Sequence, residues 1–187
     1  MAEQARDTTA DLLSVVYSRT GVTRYVYLAG PIAGCSFKEA TNWREAVSAD
    51  FLPGIVAVSP MRLKDWCKRV RKIGNIDQYK FITDETEWLI SGESHAICAR
   101  DFNDVRKADL LFAYLPKKLN DRRPSWGTAI EFGWATAQRV PVLLVTDDKA
   151  LAVHPLVRES AGWIVPTLEL GIAVVNSVLG VYAGDET

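Results

Sequence analysis

The strand-forming runs of this chain are apolar without interruption, and that restricts its possible folds more than any other feature. Residues 25–29, 55–59, 110–115, 142–146 and 162–165 do not alternate between apolar and polar side chains. A strand buried on one face alternates, whereas a continuous run is expected when helices cover both faces. Helical segments stand between these runs. The stretch 37–51 places Phe37, Ala40, Trp43 and Val47 near helical spacing. Further helices are predicted over 8–19, 94–108, from the Gly127 segment to Arg139, and over 168–179. This order predicts an α/β fold, a doubly wound and mostly parallel sheet of Rossmann-like or flavodoxin-like type with helices on both faces. In such sheets ligands sit outside the carboxyl ends of the strands. The turn after Tyr27, the loop after Leu115 and the residues around Asp101 are expected to converge there.

The chain has 187 residues, a length expected for a single domain spanning 1–187. Residues 61–93 break the pattern and read as an insertion. They carry a basic run of Arg62, Lys64, Lys68, Arg69, Arg71 and Lys72. Leu63, Trp66, Val70 and Ile73 recur at helical spacing, which predicts a surface helix with a buried apolar stripe. The functional alternative is a lid or a phosphate-attracting wall beside the site. Residues 77–87 are more acidic and read as a loop. A polar loop is expected over 117–123, and a loop or short helix over 154–160.

A formal net charge of −1 gives no electrostatic footprint for nucleic acid or an anionic membrane, so a charged partner is expected to be small. Cys35, Cys67 and Cys98 are odd in number and widely spaced. That pattern fits a reducing cytoplasm rather than a disulfide framework, and neither the cysteines nor His95 and His154 form a metal motif. The opening residues 1–7 are polar and do not read as a signal peptide. Pro166, Glu169 and Asn176 interrupt the apolar stretch 162–183, so a strand and helix are expected there rather than a membrane span. No metal or cofactor is implied.

One carboxylate stands out. In Ser125-Trp126-Gly127-Thr128-Ala129-Ile130-Glu131-Phe132-Gly133-Trp134-Ala135, Glu131 is surrounded by apolar and small residues. Gly127 and Thr128 are expected to turn the backbone and leave amides facing a ligand. Thr128-x-x-Glu131 matches a capping box, which would place Glu131 in the first turn with its carboxylate on the Thr128 amide. The alternative is a catalytic carboxylate.

Taken with two other segments, this stretch resembles the nucleoside 2-deoxyribosyltransferase family, including the related nucleoside 5′-monophosphate N-glycosidases. Tyr27-Leu28-Ala29-Gly30-Pro31-Ile32 matches the family's opening strand and glycine-bearing turn. Asp101 to Asp109 places an aspartate eight positions before an Ala-Asp that starts a strand. Gly127 to Ala135 matches Gly-x-x-x-Glu-x-Gly. The resemblance implies that Glu131 is the nucleophile on the anomeric carbon, that Asp101 engages the base or assists its protonation, and that Tyr27 orients the glutamate. It further implies that Gly30, Pro31, Ile32, Ser125, Gly127 and Thr128 line the substrate. The chemistry fits these residue types, because glycosidic cleavage builds positive charge that a carboxylate stabilises or traps. The sugar would pass to another base or to water.

Six positions before the glutamate, family members acting on free nucleosides carry an aspartate, and the monophosphate hydrolases carry a serine. Ser125 therefore favours a nucleotide, since a hydroxyl beside helix N-terminal amides suits a phosphate that a carboxylate would repel. Pro31 departs from this pattern by standing where those hydrolases have a serine, and Ser36 is a candidate substitute. The resemblance implies a homo-oligomer whose neighbouring subunit completes the site. The competing reading is a non-catalytic nucleotide-binding module.

Overall fold

The computed structural model describes residues 22–62, 64–69, 71–73, 87–120 and 125–180. The helix expected over 8–19 and most of the acidic loop over 77–87 lie outside them. Strand β1 (Arg24–Ala29) leads to helix α1 (Phe37–Ala49) and β2 (Ile55–Val58). Helix α2 (Glu87–Lys107) precedes β3 (Leu110–Tyr114), and after α3 (Lys117–Asn120) comes α4 (Trp126–Ala137). Strand β4 (Val142–Val145), helices α5 (Lys149–Ala152) and α6 (Pro155–Ser160), β5 (Trp163–Val165) and α7 (Leu168–Leu179) complete the order.

The strands form one five-stranded sheet, order β2-β1-β3-β4-β5, with every pair parallel. The expected doubly wound α/β fold is therefore the observed one. Each face has its own core. Val26, Leu28, Leu110, Phe112, Leu143 and Val145 point toward Trp43 and Val47 of α1 and Val175 of α7. Tyr27, Ala29, Leu111, Ala113 and Leu144 point the other way, toward Val105 of α2 and Ala135 of α4. Successive strand residues feed opposite cores, which is why the sequence shows no alternation.

Three residues that look out of place in the sequence are explained by packing. A Cβ on Gly171 would lie 2.7 Å from Val145 and 2.8 Å from Phe112, so this glycine lets α7 approach the sheet. Asn176, within that apolar helix, accepts from the Leu52 amide at 3.0 Å and donates to the Asp50 carbonyl at 3.0 Å. Asp109 accepts from the Tyr25 amide at 2.8 Å and from Arg24 at 3.0 Å, fixing the start of β3 beside β1.

Some local expectations are corrected. The surface α-helix expected from the apolar stripe is not seen in the described part of residues 61–73, which forms a 3-10 helix over Asp65–Arg69; Leu63 and Val70 lie outside the described residues. Cys67 and Ile73 of this segment join Cys35, Ala40 and Met61 in a satellite core. Helix α2 starts at Glu87, seven residues before the expected position, so the end of the supposed insertion belongs to it. The polar segment after β3 contains the short helix α3, whereas the loop or short helix expected over 154–160 is observed as the short helix α6.

Candidate functional site

The connection from β1 runs to β2 on one side, and the next returns across β1 to β3 on the other. This reversal opens a crevice at the carboxyl ends of β1 and β3, where an open α/β sheet places its ligand. Tyr27 comes from β1, Glu131 from α4 and Asp101 from α2, and all three are buried here.

Helix α4 differs from the capping expectation. Its N-cap is Ser125, not Thr128, and Trp126 to Thr128 already form its first turn. Glu131 falls in the second turn, beyond reach of the orphan amides. Instead the Tyr27 hydroxyl donates to Glu131 Oε1 at 2.6 Å, and Glu131 is only 8% exposed. The capping reading is thus replaced by a tertiary contact across 104 residues. Gly127 is not needed for a sharp turn either, because positive-φ glycines among the described residues are Gly34 and Gly54. A Cβ on Gly127 would meet nothing within 4 Å, so what the glycine does is leave the helix start bare.

Burial pushes the Glu131 carboxyl up to about 7, and the Asp101 carboxylate adds to the rise. The Tyr27 hydrogen bond and the cations Arg44 and Lys64 oppose it. Burial raises the Tyr27 phenol far above its usual range, with Glu131 and Asp101 adding, so it remains a donor.

Asp101 is held by cations. Arg100 donates to its Oδ1 from Nε at 3.0 Å and from Nη2 at 2.8 Å, and Lys64 Nζ lies 4.0 Å from its Oδ2. Arg100 also donates to the carbonyls of Pro60 at 3.0 Å and Arg62 at 3.3 Å, while Arg62 pairs with Asp104. These contacts pin the segment after β2 against α2 and bring Lys64 into the site.

Sequence reasoning missed Arg44 and gave Lys64 no individual role. Arg44 is buried and donates to the Leu28 carbonyl at 3.1 Å and the Gly30 carbonyl at 2.9 Å, and also to Ala40. Its guanidinium lies 4.4 Å from the Trp43 ring centroid. A signal existed: Arg44 falls on the same helical face as Ala40 and Val47, where a charge needs buried partners. Lys64 looked like one residue of a solvated basic run, yet it is only 8% exposed.

The remaining candidates divide. A Cβ on Gly30 would stand 2.6 Å from the Trp43 ring and 3.1 Å from the Tyr114 carbonyl, so only glycine fits after β1. Pro31 is buried and Ile32 packs against the satellite core. Ser36 is committed elsewhere, as N-cap of α1 in a capping box with Glu39. Ser125 Oγ and Thr128 Oγ1 lie 2.8 Å apart at the start of α4, and Ser125 caps no backbone amide. No acidic side chain occupies that first turn. Among the described residues, no group of three or more His, Cys, Asp or Glu is arranged to hold a metal ion. None of their helices is long and apolar enough to cross a membrane.

A family model for nucleoside 2-deoxyribosyltransferases matches residues 26–175. The chain belongs to that family. Membership supports an enzyme of the nucleoside deoxyribosyltransferase kind, with a small-molecule substrate. No curated protein matches the sequence. Among solved structures, the 2-deoxyribosyltransferase of Bacillus psychrosaccharolyticus aligns with a TM-score of 0.51 and 18% identity, covering 79% of this chain and 90% of that one. A conserved protein of Enterococcus faecalis V583 gives 0.54 and 16%, covering 83% and 99%. The CMP N-glycosidase of Clostridium botulinum gives 0.47 and 15%, covering 83% and 100%. The first two likenesses, at these identities, are of fold.

Proposed function

We propose that this enzyme cleaves the N-glycosidic bond of a 2′-deoxynucleoside 5′-monophosphate or the parent nucleoside, with Glu131 as nucleophile. The observation that carries the reading is the 2.6 Å bond from Tyr27 to a buried Glu131 at the sheet's switch point. A Glu131 oxygen attacks the anomeric carbon, the carbon–nitrogen bond breaks, and its electron pair leaves with the base. A glycosyl-enzyme ester remains. Water or an incoming base then attacks the same carbon and releases Glu131, so two inversions give net retention. Tyr27 fixes the carboxylate's orientation. Asp101, whose oxygens face cations, offers acceptors to the base.

Ser125, Thr128 and the bare first turn of α4 are the proposed phosphate end. The amides of a helix's first turn have no intrahelical acceptor and favour an anion. Gly30, Pro31 and Ile32 form the floor beside the sugar. Trp126 is 74% exposed and Ile130 52% exposed on the same helix, which supports a second copy of the chain packing beside the site.

The test is a chromatographic assay of purified protein with a panel of nucleosides and monophosphates, each with and without free base. The expected result is base release by the wild type and none by Glu131→Gln. Release without an acceptor identifies a hydrolase, and a new nucleoside identifies a transferase. Release by Glu131→Gln at the wild-type rate would overturn the nucleophile assignment. Ligand binding by a wild type that releases nothing would favour a sensing module.

A further inference from the structure

We infer that Lys64 is the group that protonates the departing base. This rests on the glycosidic reading above and extends it, since a nucleophile alone does not account for the leaving group. A base expelled as its anion is a poor leaving group, so a proton must reach its nitrogen as the bond breaks.

Asp101 is badly suited to supply that proton. Arg100 already donates twice to Oδ1, and Lys64 faces Oδ2. Tyr27 has its proton committed to Glu131. Lys64 differs from both. Its ammonium carries three donors, and its distance from Asp101, 4.0 Å, is an ion-pair contact but not a hydrogen bond. Among the described residues nothing else accepts from Nζ. The residue as a whole is 8% exposed, so its stem is packed in the wall of the site while its unused donors stay open to a ligand.

Placement agrees. Lys64 is held in the turn after β2 by bonds from its amide to the Met61 carbonyl at 3.2 Å and from the Cys67 amide to its own carbonyl at 2.9 Å. It reaches the site from the β2 side, whereas Glu131 descends from α4, which packs on β1, β3 and β4. Asp101 lies between their elements. A nucleophile and an acid acting on one bond must approach it from different sides, and these two come from different walls. Burial lowers the lysine's hold on its proton, with Arg100 acting in the same direction and Asp101, Cys67 and Glu131 opposing.

Glu131 forms the bond to the anomeric carbon, the bond to the base nitrogen breaks, and a Lys64 proton neutralises the electron pair left on the base. Lys64 becomes a neutral amine. In the second half, the amine takes the proton of the attacking water or of the incoming base's N–H. The ammonium and the Glu131 carboxylate are both restored.

The test compares wild type, Lys64→Met and Lys64→Arg on whichever nucleoside or nucleotide the wild type cleaves. Base-substituted analogues carrying electron-withdrawing groups are run beside it. Lys64→Met is expected to lose about 100-fold or more in kcat on the parent substrate and under about 10-fold on the most activated analogue. Lys64→Arg keeps the charge but cannot release a proton, so it is expected not to restore the parent rate. The wild type's basic limb in kcat/KM against pH is expected to vanish in Lys64→Met. Equal losses on every leaving group, or full rescue by arginine, would overturn the assignment and leave Glu131 untouched. If the wild type cleaves nothing, the glycosidic reading falls, and this inference falls with it.

Discussion

Replacing Glu131 by glutamine is expected to destroy activity and stabilise the protein, and the stabilisation has a definite pH dependence. Glutamine keeps the shape and an oxygen that can accept from Tyr27, but never ionises. Folding raises the Glu131 carboxyl from 4.5 to about 7. The folded state therefore binds this proton more tightly than the unfolded chain does. Stability contributed by the protonated form is fully present below the unfolded value and is lost as pH rises toward the folded one. At about 1.4 kcal/mol per unit, the loss amounts to about 3 kcal/mol once pH exceeds the folded value. Glu131→Gln should match the wild type near pH 4 and exceed it by about 3 kcal/mol near pH 8. Urea unfolding of both proteins at a fixed concentration measures the difference directly. Taking the difference between the two proteins cancels other titrating groups that the substitution leaves alone. An advantage for glutamine that does not change with pH would refute the argument. So would a wild type that gains on the variant as pH rises, since Arg44 and Lys64 would then outweigh burial.

The remaining expectations concern the surroundings of Glu131. Tyr27→Phe removes the 2.6 Å donor and should cost about 10- to 150-fold in kcat/KM. Because that bond lowers the Glu131 carboxyl, the acid limb of the pH profile should also move to higher pH, and an unmoved limb would argue against the pairing. Ser125→Asp should weaken cleavage of monophosphates at least about 10-fold more than that of free nucleosides, through like-charge repulsion at the start of α4. Equal effects would remove Ser125 from the phosphate end. Gly30→Ala should destabilise by about 1–3 kcal/mol, because its Cβ would stand 2.6 Å from Trp43. A melting temperature equal to wild type would show that Trp43 yields freely.

The parts of this fold legible in the sequence are those with a strong local signal. Helix α7 falls at 168–179, and each strand lies within a residue or so of its apolar run. Boundaries failed where local and tertiary forces compete. Thr128-x-x-Glu131 satisfies a capping pattern, but Ser125 starts the helix three residues earlier and carries Glu131 into its second turn. The stripe over 63–73 has helical spacing, yet Cys67 and Ile73 of that segment are tied into a satellite core with Cys35 and Ala40, and the residues just before it are tied to α2 through Arg62–Asp104 and Arg100–Pro60. For the site, Glu131, Asp101 and Tyr27 were legible as a pattern of three motifs, and the fold brings them to one crevice. Arg44 and Lys64 were not, because hydropathy cannot separate a solvated cation from a buried one.

By itself the sequence determined the layering, because uninterrupted apolar strands must be covered on both faces, and covering helices then make parallel connections the natural ones. It also marked Glu131 as a charge in need of a reason. Only the tertiary structure decided what that reason is. Strand order is set by which strands cross back over which, and no local preference encodes it. That crossing places a tyrosine hydroxyl 2.6 Å from a carboxylate 104 residues away. Burial then raises the carboxyl to about 7, a property that depends on the company Glu131 keeps and not on its neighbours in the chain.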